Sequence, residues 1–397
     1  MITETTLPDG PLLVVHAHPD DETLATGGLL ATWTATGRPV TLVTCTRGER
    51  GEVIGAALSH LEGDAAALAA HRETELEAAL QALGVTDHAY LDSVPPAADA
   101  LASRARLEDS GMAWVGDGQP GTSGQAGAAA DVPEGALVRA TVEECAERLA
   151  TVLRDRRPAV VVTYEPGGGY GHPDHVRAHE ITVRALELAE QGATGPDPVA
   201  GHVPAHVWWV VVPPEVLTGA RAELARRATE DPWFQALLDS QPTATLPTGS
   251  LPAVARPARE VVATVDVRPV LDAVRGALAA HATQVHWVDT VAPEPEPEPE
   301  LEAEATGDVP PTSAAGVRAR RASTSGSALL GWYALSNDVV VPWLAHEFYA
   351  DGRAAGQDAV AAGDAATDSA GDRAVDGEAP GADASRPGVQ PTVSRDR

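Results

Sequence analysis

Lysine is absent from this 397-residue sequence, and all 28 basic side chains are Arg, set against 57 acidic ones. The formal net charge of −29 argues against a nucleic-acid surface, which would show a basic patch. Part of that charge lies in two stretches, the run Glu294–Asp308 with seven acids and no base, and the stretch from Asp351 to Arg397. Cysteine is nearly missing, with only Cys45 and Cys145. A secreted protein of this size held by disulfides would carry more, so both are expected as reduced thiols in a cytoplasmic protein. No apolar run approaches the ~18 residues that cross a bilayer. The start, MITETTLPDGPLLVV, lacks the basic and apolar regions of a signal peptide, and no membrane partner is expected.

Short apolar runs alternate with helical patterns over the first 190 or so residues. Strands are expected at Leu12–Val15, Val40–Thr44, His88–Leu91 and Ala159–Thr163. Helices are expected at Asp21–Thr36, Arg72–Leu83, Leu137–Arg156 and Pro173–Glu190, the last with its proline at the first helical position. Alternation of β-branched strands with helices predicts an α/β fold, a Rossmann-like and mostly parallel sheet with helices on both faces. The second half reads as less regular, with strands at Val207–Val212 and Val261–Val267, a helix at Arg268–His281, and order returning at Leu329–Glu347. The domain expectation is a catalytic α/β domain over 1–292, an acidic Pro/Glu- and Ser/Arg-rich disordered insertion over 293–327, a returning segment over 328–350, and a disordered tail over 351–397. The Gly/Ala-rich stretch Gly116–Gly135 reads as a mobile loop.

Two constellations carry chemistry. The first, His16-Ala17-His18-Pro19-Asp20-Asp21-Glu22, directly follows the first strand. His18 and Asp21 lie three apart across a Pro-bearing turn, so both could face one ion; the plain alternative makes Asp20 or Asp21 a helix N-cap. The second, Gly167-Gly168-Gly169-Tyr170-Gly171-His172-Pro173-Asp174-His175, follows another apolar strand. Both fall at carboxyl ends of strands, where doubly wound sheets place their sites. His18, Asp21 and His175 make the His/His/carboxylate set of a catalytic zinc site with an open position, one ion per chain, and the same set suits iron(II). Asp20, beside a ligand but aimed elsewhere, is expected as general base. Asp174 should favour a protonated His172, which could stabilise an oxyanion or protonate the leaving amine. Tyr170 could donate a hydrogen bond to the carbonyl oxygen. His175 and His179 form an i,i+4 pair but lack the glutamate of the HExxH pattern, so His179 is set aside. His60, His88, His202, His206, His281, His286 and His346 read as surface or satisfied core histidines.

AHPDDE after the first strand with a distant HPDH resembles the LmbE/PIG-L-like family of zinc-dependent N-acetylglucosamine deacetylases. The segments VTCTRGERGEVIG, RLEDSGMA, HATQV and ALSNDVVVPWLAHEFY narrow the likeness to the mycothiol-pathway deacetylases. The resemblance implies hydrolysis of N-acetylglucosaminyl-inositol, a small amino-sugar inositol substrate, to glucosaminyl-inositol and acetate. It implies the same zinc ligands, with Asp20 as base, His172 as acid or oxyanion stabiliser, Asp174 as its orienting partner, and Tyr170 as a mobile residue near the carbonyl. It also implies that Arg72, Glu52 and Asp109 contact sugar and inositol hydroxyls; read without it, they are a helix-surface Arg and two loop acids. The rival is a mycothiol S-conjugate amidase, which would share the metal site. Oligomeric state is not legible.

Overall fold

The computed structural model describes residues 6–95, 106–114, 126–193, 199–241, 243–290 and 328–353. The elements run β1 (Leu12–His16), α1 (Asp21–Ala35), β2 (Val40–Thr44), α2 (Ala65–Leu83), β3 (Asp87–Tyr90), β4 (Met112–Trp114), β5 (Ala126–Ala128), α3 (Val142–Arg156), β6 (Val160–Tyr164) and α4 (Pro173–Glu190). They continue with β7 (His206–Val211), α5 (Pro214–Glu230), α6 (Pro232–Ser240), β8 (Val261–Asp266), α7 (Leu271–Ala280), β9 (Val285–Thr290), β10 (Leu329–Leu335), β11 (Val340–Leu344) and β12 (His346–Asp351).

Seven strands form the main sheet in the order β3-β2-β1-β6-β7-β12-β8. The first five are parallel, and β12 lies antiparallel to both β7 and β8. β1, β2 and β6 are buried along their whole length, which is why they read as continuous apolar runs rather than alternating ones. The strand period divides β1 between two cores. Leu12 and Val14 pack with Leu29, Trp33, Leu76, Leu80, Val274 and Leu278 of α1, α2 and α7. Leu13 and Val15 pack with Leu149, Leu153, Ala178, Ile181 and Ala185 of α3 and α4. The chain winds from β1 out to β3 and returns to β6 on the other side of β1. The carboxyl ends of β1 and β6 therefore flank the point where strand order reverses, the crevice in which such sheets bind ligands.

Local chemistry set several boundaries differently from the periodic reading. The helix expected from Arg72 begins at Ala65, because Asp64 caps it by accepting from the Ala67 amide, ahead of a first turn whose alanines leave little apolar stripe. The helix expected from Leu137 is a 3₁₀ turn at Leu137–Arg139, then α3, which restarts where Thr141 accepts from the Glu144 amide. Pro269 likewise confines Arg268–Val270 to a 3₁₀ turn ahead of α7. In the stretch read as a loop, β5 pairs antiparallel with β4. The second half also carries α5, α6 and β9, which the apolar patterns did not mark. Leu224 and Phe234 of α5 and α6 pack on Trp332, Ala334 and Val340 of the three-stranded sheet β11-β10-β9. The expected insertion 293–327 lies outside the described residues, as does the expected tail beyond residue 353, while β12 itself reaches Asp351. No described helix is long and apolar enough to cross a membrane.

Candidate metal centre and active site

The turn after β1 and the loop after β6 bring the two His-Pro-Asp motifs together. Asp20 is the N-cap of α1 but makes no side-chain cap bond, and its backbone sits at φ 110°. Its side chain is thereby free to face the crevice. His172 caps α4 and Pro173 opens it. Gly168 has φ +65°, and a Cβ there would come within 2.7 Å of the Val176 amide, so the loop can fold onto the helix start only with glycine at that position.

His18, Asp21, His172 and His175 are all buried. Asp21 lies between two imidazoles, its Oδ2 3.3 Å from His18 Nδ1 and its Oδ1 3.2 Å from His175 Nε2. The remaining ring nitrogens point at acceptors: His175 Nδ1 is 3.2 Å from the Gly168 carbonyl, and His18 Nε2 is 3.2 Å from Asp174 Oδ2. Protons placed on those outer nitrogens leave two imidazole lone pairs and a carboxylate facing one another. His175 Nε2 is a buried atom with no hydrogen-bond partner. Such a cluster is stabilised by a cation, with the outer acceptors fixing ring orientation as they do around metal-bound histidines. Donor atoms of His18, His172 and His175 also lie within 4.8 Å of one another, so the alternative third donor is His172. Its Nδ1 accepts from the Asp174 amide at 3.1 Å, which commits that nitrogen and leaves Nε2 as a donor toward the site. Tyr164 fixes this group from below, stacking on His175 at 4.3 Å and accepting the Ala17 amide through its hydroxyl.

The charges respond to this packing. Burial opposes protonation of His18, but Asp109, Asp174 and Asp21 together hold its pKa well above the ordinary value. Asp21 is held well below the carboxylate range, its burial outweighed by His175 and His18. Asp20 is pushed up to about 6 by burial, with Arg72 working against the rise. His172 lies well below the usual imidazole range because of burial and the neighbouring His18 and His175, a pull that Asp174 only partly offsets. This shift, and the Asp174 amide donating to His172 Nδ1, both run against the protonated His172 that the sequence leads one to expect. Asp174 is also not its carboxylate partner. Its oxygens accept from the Ser110 amide and hydroxyl and face His18, and it meets His172 only through its own backbone amide. Burial holds the Tyr170 phenol neutral, its pKa well above 10, and its ring stacks on Trp114.

His18, Asp20, Asp21, Tyr170 and His172 line one cavity of about 340 Å³. Arg72, Glu52 and Asp109 all reach it, in different circumstances. Arg72 is buried, and donates to the Gly48 and Pro19 carbonyls and to Asp20 Oδ2 at 3.1 Å. Asp109 accepts from the Arg50 and Gly111 amides and lies 3.7 Å from His18 Nε2. Glu52 is exposed at the rim. Several participants escaped the sequence reading: Ser110 behind Asp174, Glu49 behind Asp109, Gln284 in the cavity wall, and the buried pair Glu22 and His281. Ser110 sits within DSGMA and His281 and Gln284 within HATQV, so the signal was in segments already marked, but nothing local gave those residues partners. His179 turns away, bonding the Tyr164 carbonyl.

Comparison with known proteins gives the family. The PIG-L family model, described as GlcNAc-PI de-N-acetylase, matches residues 13–186. A Kineococcus radiotolerans protein named 1D-myo-inositol 2-acetamido-2-deoxy-alpha-D-glucopyranoside deacetylase is 46% identical over 278 residues, 69% of this chain and 68% of the relative. Proteins of the same name from Streptomyces avermitilis (41% identity, 70% and 84% covered) and Rhodococcus jostii (37%, 85% and 90%) extend the match. With relatives this similar over most of their length, and with both of its His-Pro-Asp turns inside the matched segment, the chain belongs to the PIG-L family of de-N-acetylases.

Proposed function

We infer that this chain is an N-acetyl-sugar deacetylase that hydrolyses 1D-myo-inositol 2-acetamido-2-deoxy-α-D-glucopyranoside to acetate and the free amine, the substrate for which its relatives are named. The observation that carries the reading is the gathering of His18, Asp20, Asp21 and His172 on one cavity whose walls also hold Arg50, Glu52, Asp109 and Gln284. The first group suits amide hydrolysis, and the second suits a ligand rich in hydroxyls.

His18 Nδ1, the Asp21 carboxylate and His175 Nε2 are the donors that would hold one zinc ion, and iron(II) takes the same set. When bound, the ion supplies Lewis-acid polarisation and a lowered pKa for water. Asp20 accepts the proton of the attacking water. Arg72 occupies Asp20 Oδ2, which leaves Oδ1 for that water. With a pKa of about 6, Asp20 is ionised at neutral pH and can return the proton to the departing amine. The tetrahedral oxyanion is met by the Tyr170 hydroxyl and by Nε2–H of neutral His172, two donors in place before the reaction. Asp174, held by Ser110, orients His18 and, through its amide, His172.

A second cavity of about 340 Å³, lined mostly by apolar groups such as Val210, Val212, Leu217, Val254 and Trp343, shares Asp21 and Tyr170 with the first. This favours a second reading, the mycothiol S-conjugate amidase, whose acyl part is larger than acetyl. Amine release from the two substrates side by side separates the readings. A higher kcat/KM for the acetamide supports deacetylation, and a higher value for the conjugate would replace it.

A further inference from the structure

Asp20 sits at φ 110°, in the half of backbone space that L side chains rarely adopt. Its amide donates to Glu22 Oε2 at 2.9 Å. Glu22 is no ordinary first-turn acid favouring a helix dipole from solvent, because it is wholly buried. Its other oxygen accepts from Thr23 Oγ1 at 2.5 Å and from His281 Nε2 at 2.7 Å. His281 is itself wholly buried and follows α7, some 259 residues along the chain from Glu22. The turn it begins also fastens other parts of the site: Thr283 donates twice to Glu75 of α2, and Gln284 donates to the Glu52 carbonyl. Only His281 connects to the base.

We propose that His281 is a positioning residue for Asp20, acting through Glu22, so that the second half of the chain sets the backbone of the general base laid down by the first. Arg72 restrains the Asp20 carboxylate, and the Glu22–His281 pair restrains its amide. The two contacts together fix which oxygen meets the water. Without the His281 donor, Glu22 is a buried carboxylate short of a partner. It would turn toward another donor, release the Asp20 amide, and let residue 20 relax out of its left-handed conformation. Among the described residues the hydrogen bonds and ion pair of the His281 ring go to Thr23 and Glu22 and not to His18, Asp21 or His175, so the ion should stay. The proposal rests on the reading of Asp20 as base.

The test compares metal-loaded full-length His281→Leu and His281→Gln with the parent, measuring bound metal, kcat and KM. His281→Leu is expected to lower kcat per bound metal roughly 10- to 100-fold, the scale on which a small displacement of a reacting group acts. KM and metal content should stay within about twofold, and His281→Gln, which keeps a donor, should recover part of the loss. In an Asp20→Asn background, His281→Leu should cost little more, because residues that act through one another are not additive. A kcat per bound metal within about twofold of the parent in His281→Leu, or in Glu22→Gln if the leucine variant does not fold, overturns the proposal. So does a full additive loss on Asp20→Asn. Should Asp20→Asn alone keep full turnover, the base assignment itself has failed, a result distinct from either.

Discussion

Asp20 carries the sharpest consequences at the residue scale. As the base it must be ionised, and burial places its pKa at about 6. Turnover should therefore fall as pH is lowered through that region and level off above it, which a kcat/KM profile between pH 5 and 8 would read, following the ordinary behaviour of a titrating base. Asp20→Ala should keep its metal and lose roughly 10²- to 10⁴-fold in kcat; full turnover with metal bound would contradict the role. Gly48 gives a second test. It has φ +66°, and a Cβ there would fall 2.1 Å from Arg72 Nη1. Gly48→Ala must push away the guanidinium that holds Asp20, so activity should drop along with about 1–3 kcal/mol of stability, read by an assay beside denaturant unfolding. His18, Asp20, Asp21 and His175 could be picked out of the sequence because they stand in two dense His-Pro-Asp clusters, one directly after β1 and one after the Gly-rich loop that follows β6. The downward shift of the His172 pKa was not legible. It depends on burial and on His18, which lies 154 positions away in the chain and 4.6 Å away in space.

Helices and strands were legible where their own chemistry set them. β1, β2, β6 and α4 stand close to where apolar runs and Pro173 put them. α5 and α6 were missed because their buried faces are thin, Ala220 and Leu224 being the buried residues of α5, and their stability comes from Trp332 and its sheet. α1 is joined to β12 by Glu347, which accepts from the Gly28 and Leu29 amides and from the Tyr349 hydroxyl. Burial raises the Glu347 pKa to about 7, against those three donors, which lower it. A folded-state value above the unfolded one gives stability that is complete below the unfolded pKa and is lost as pH rises through about 7. The parent should thus lose on the order of 2 kcal/mol between pH 5 and 8 that Glu347→Gln does not lose; parallel pH dependences in unfolding experiments would contradict it. Gly28 permits this contact, since a Cβ would meet Val267 at 2.8 Å and Glu347 at 2.9 Å. Gly28→Ala should destabilise by roughly 1–3 kcal/mol despite the better helix propensity of alanine, a sign that thermal unfolding would check.

At the scale of the whole molecule, the site is assembled from parts far apart in sequence: the turn after β1, Ser110, the loop before α4, and the turn after α7. The first and third, which hold the chemistry, are legible in sequence; the second and fourth are not, because their roles are contacts across the fold. A ligand that binds only the folded state raises stability by mass action, so zinc should raise the melting temperature and a chelator should lower it. The function proposed for this assembly is metal-dependent hydrolysis of an N-acetylated sugar. The most direct test is amine release from 1D-myo-inositol 2-acetamido-2-deoxy-α-D-glucopyranoside by zinc-loaded and by metal-stripped protein. Release is expected from the loaded protein, with loss on stripping and recovery when zinc is restored. Equal release by stripped protein, or none by loaded protein, would contradict this function.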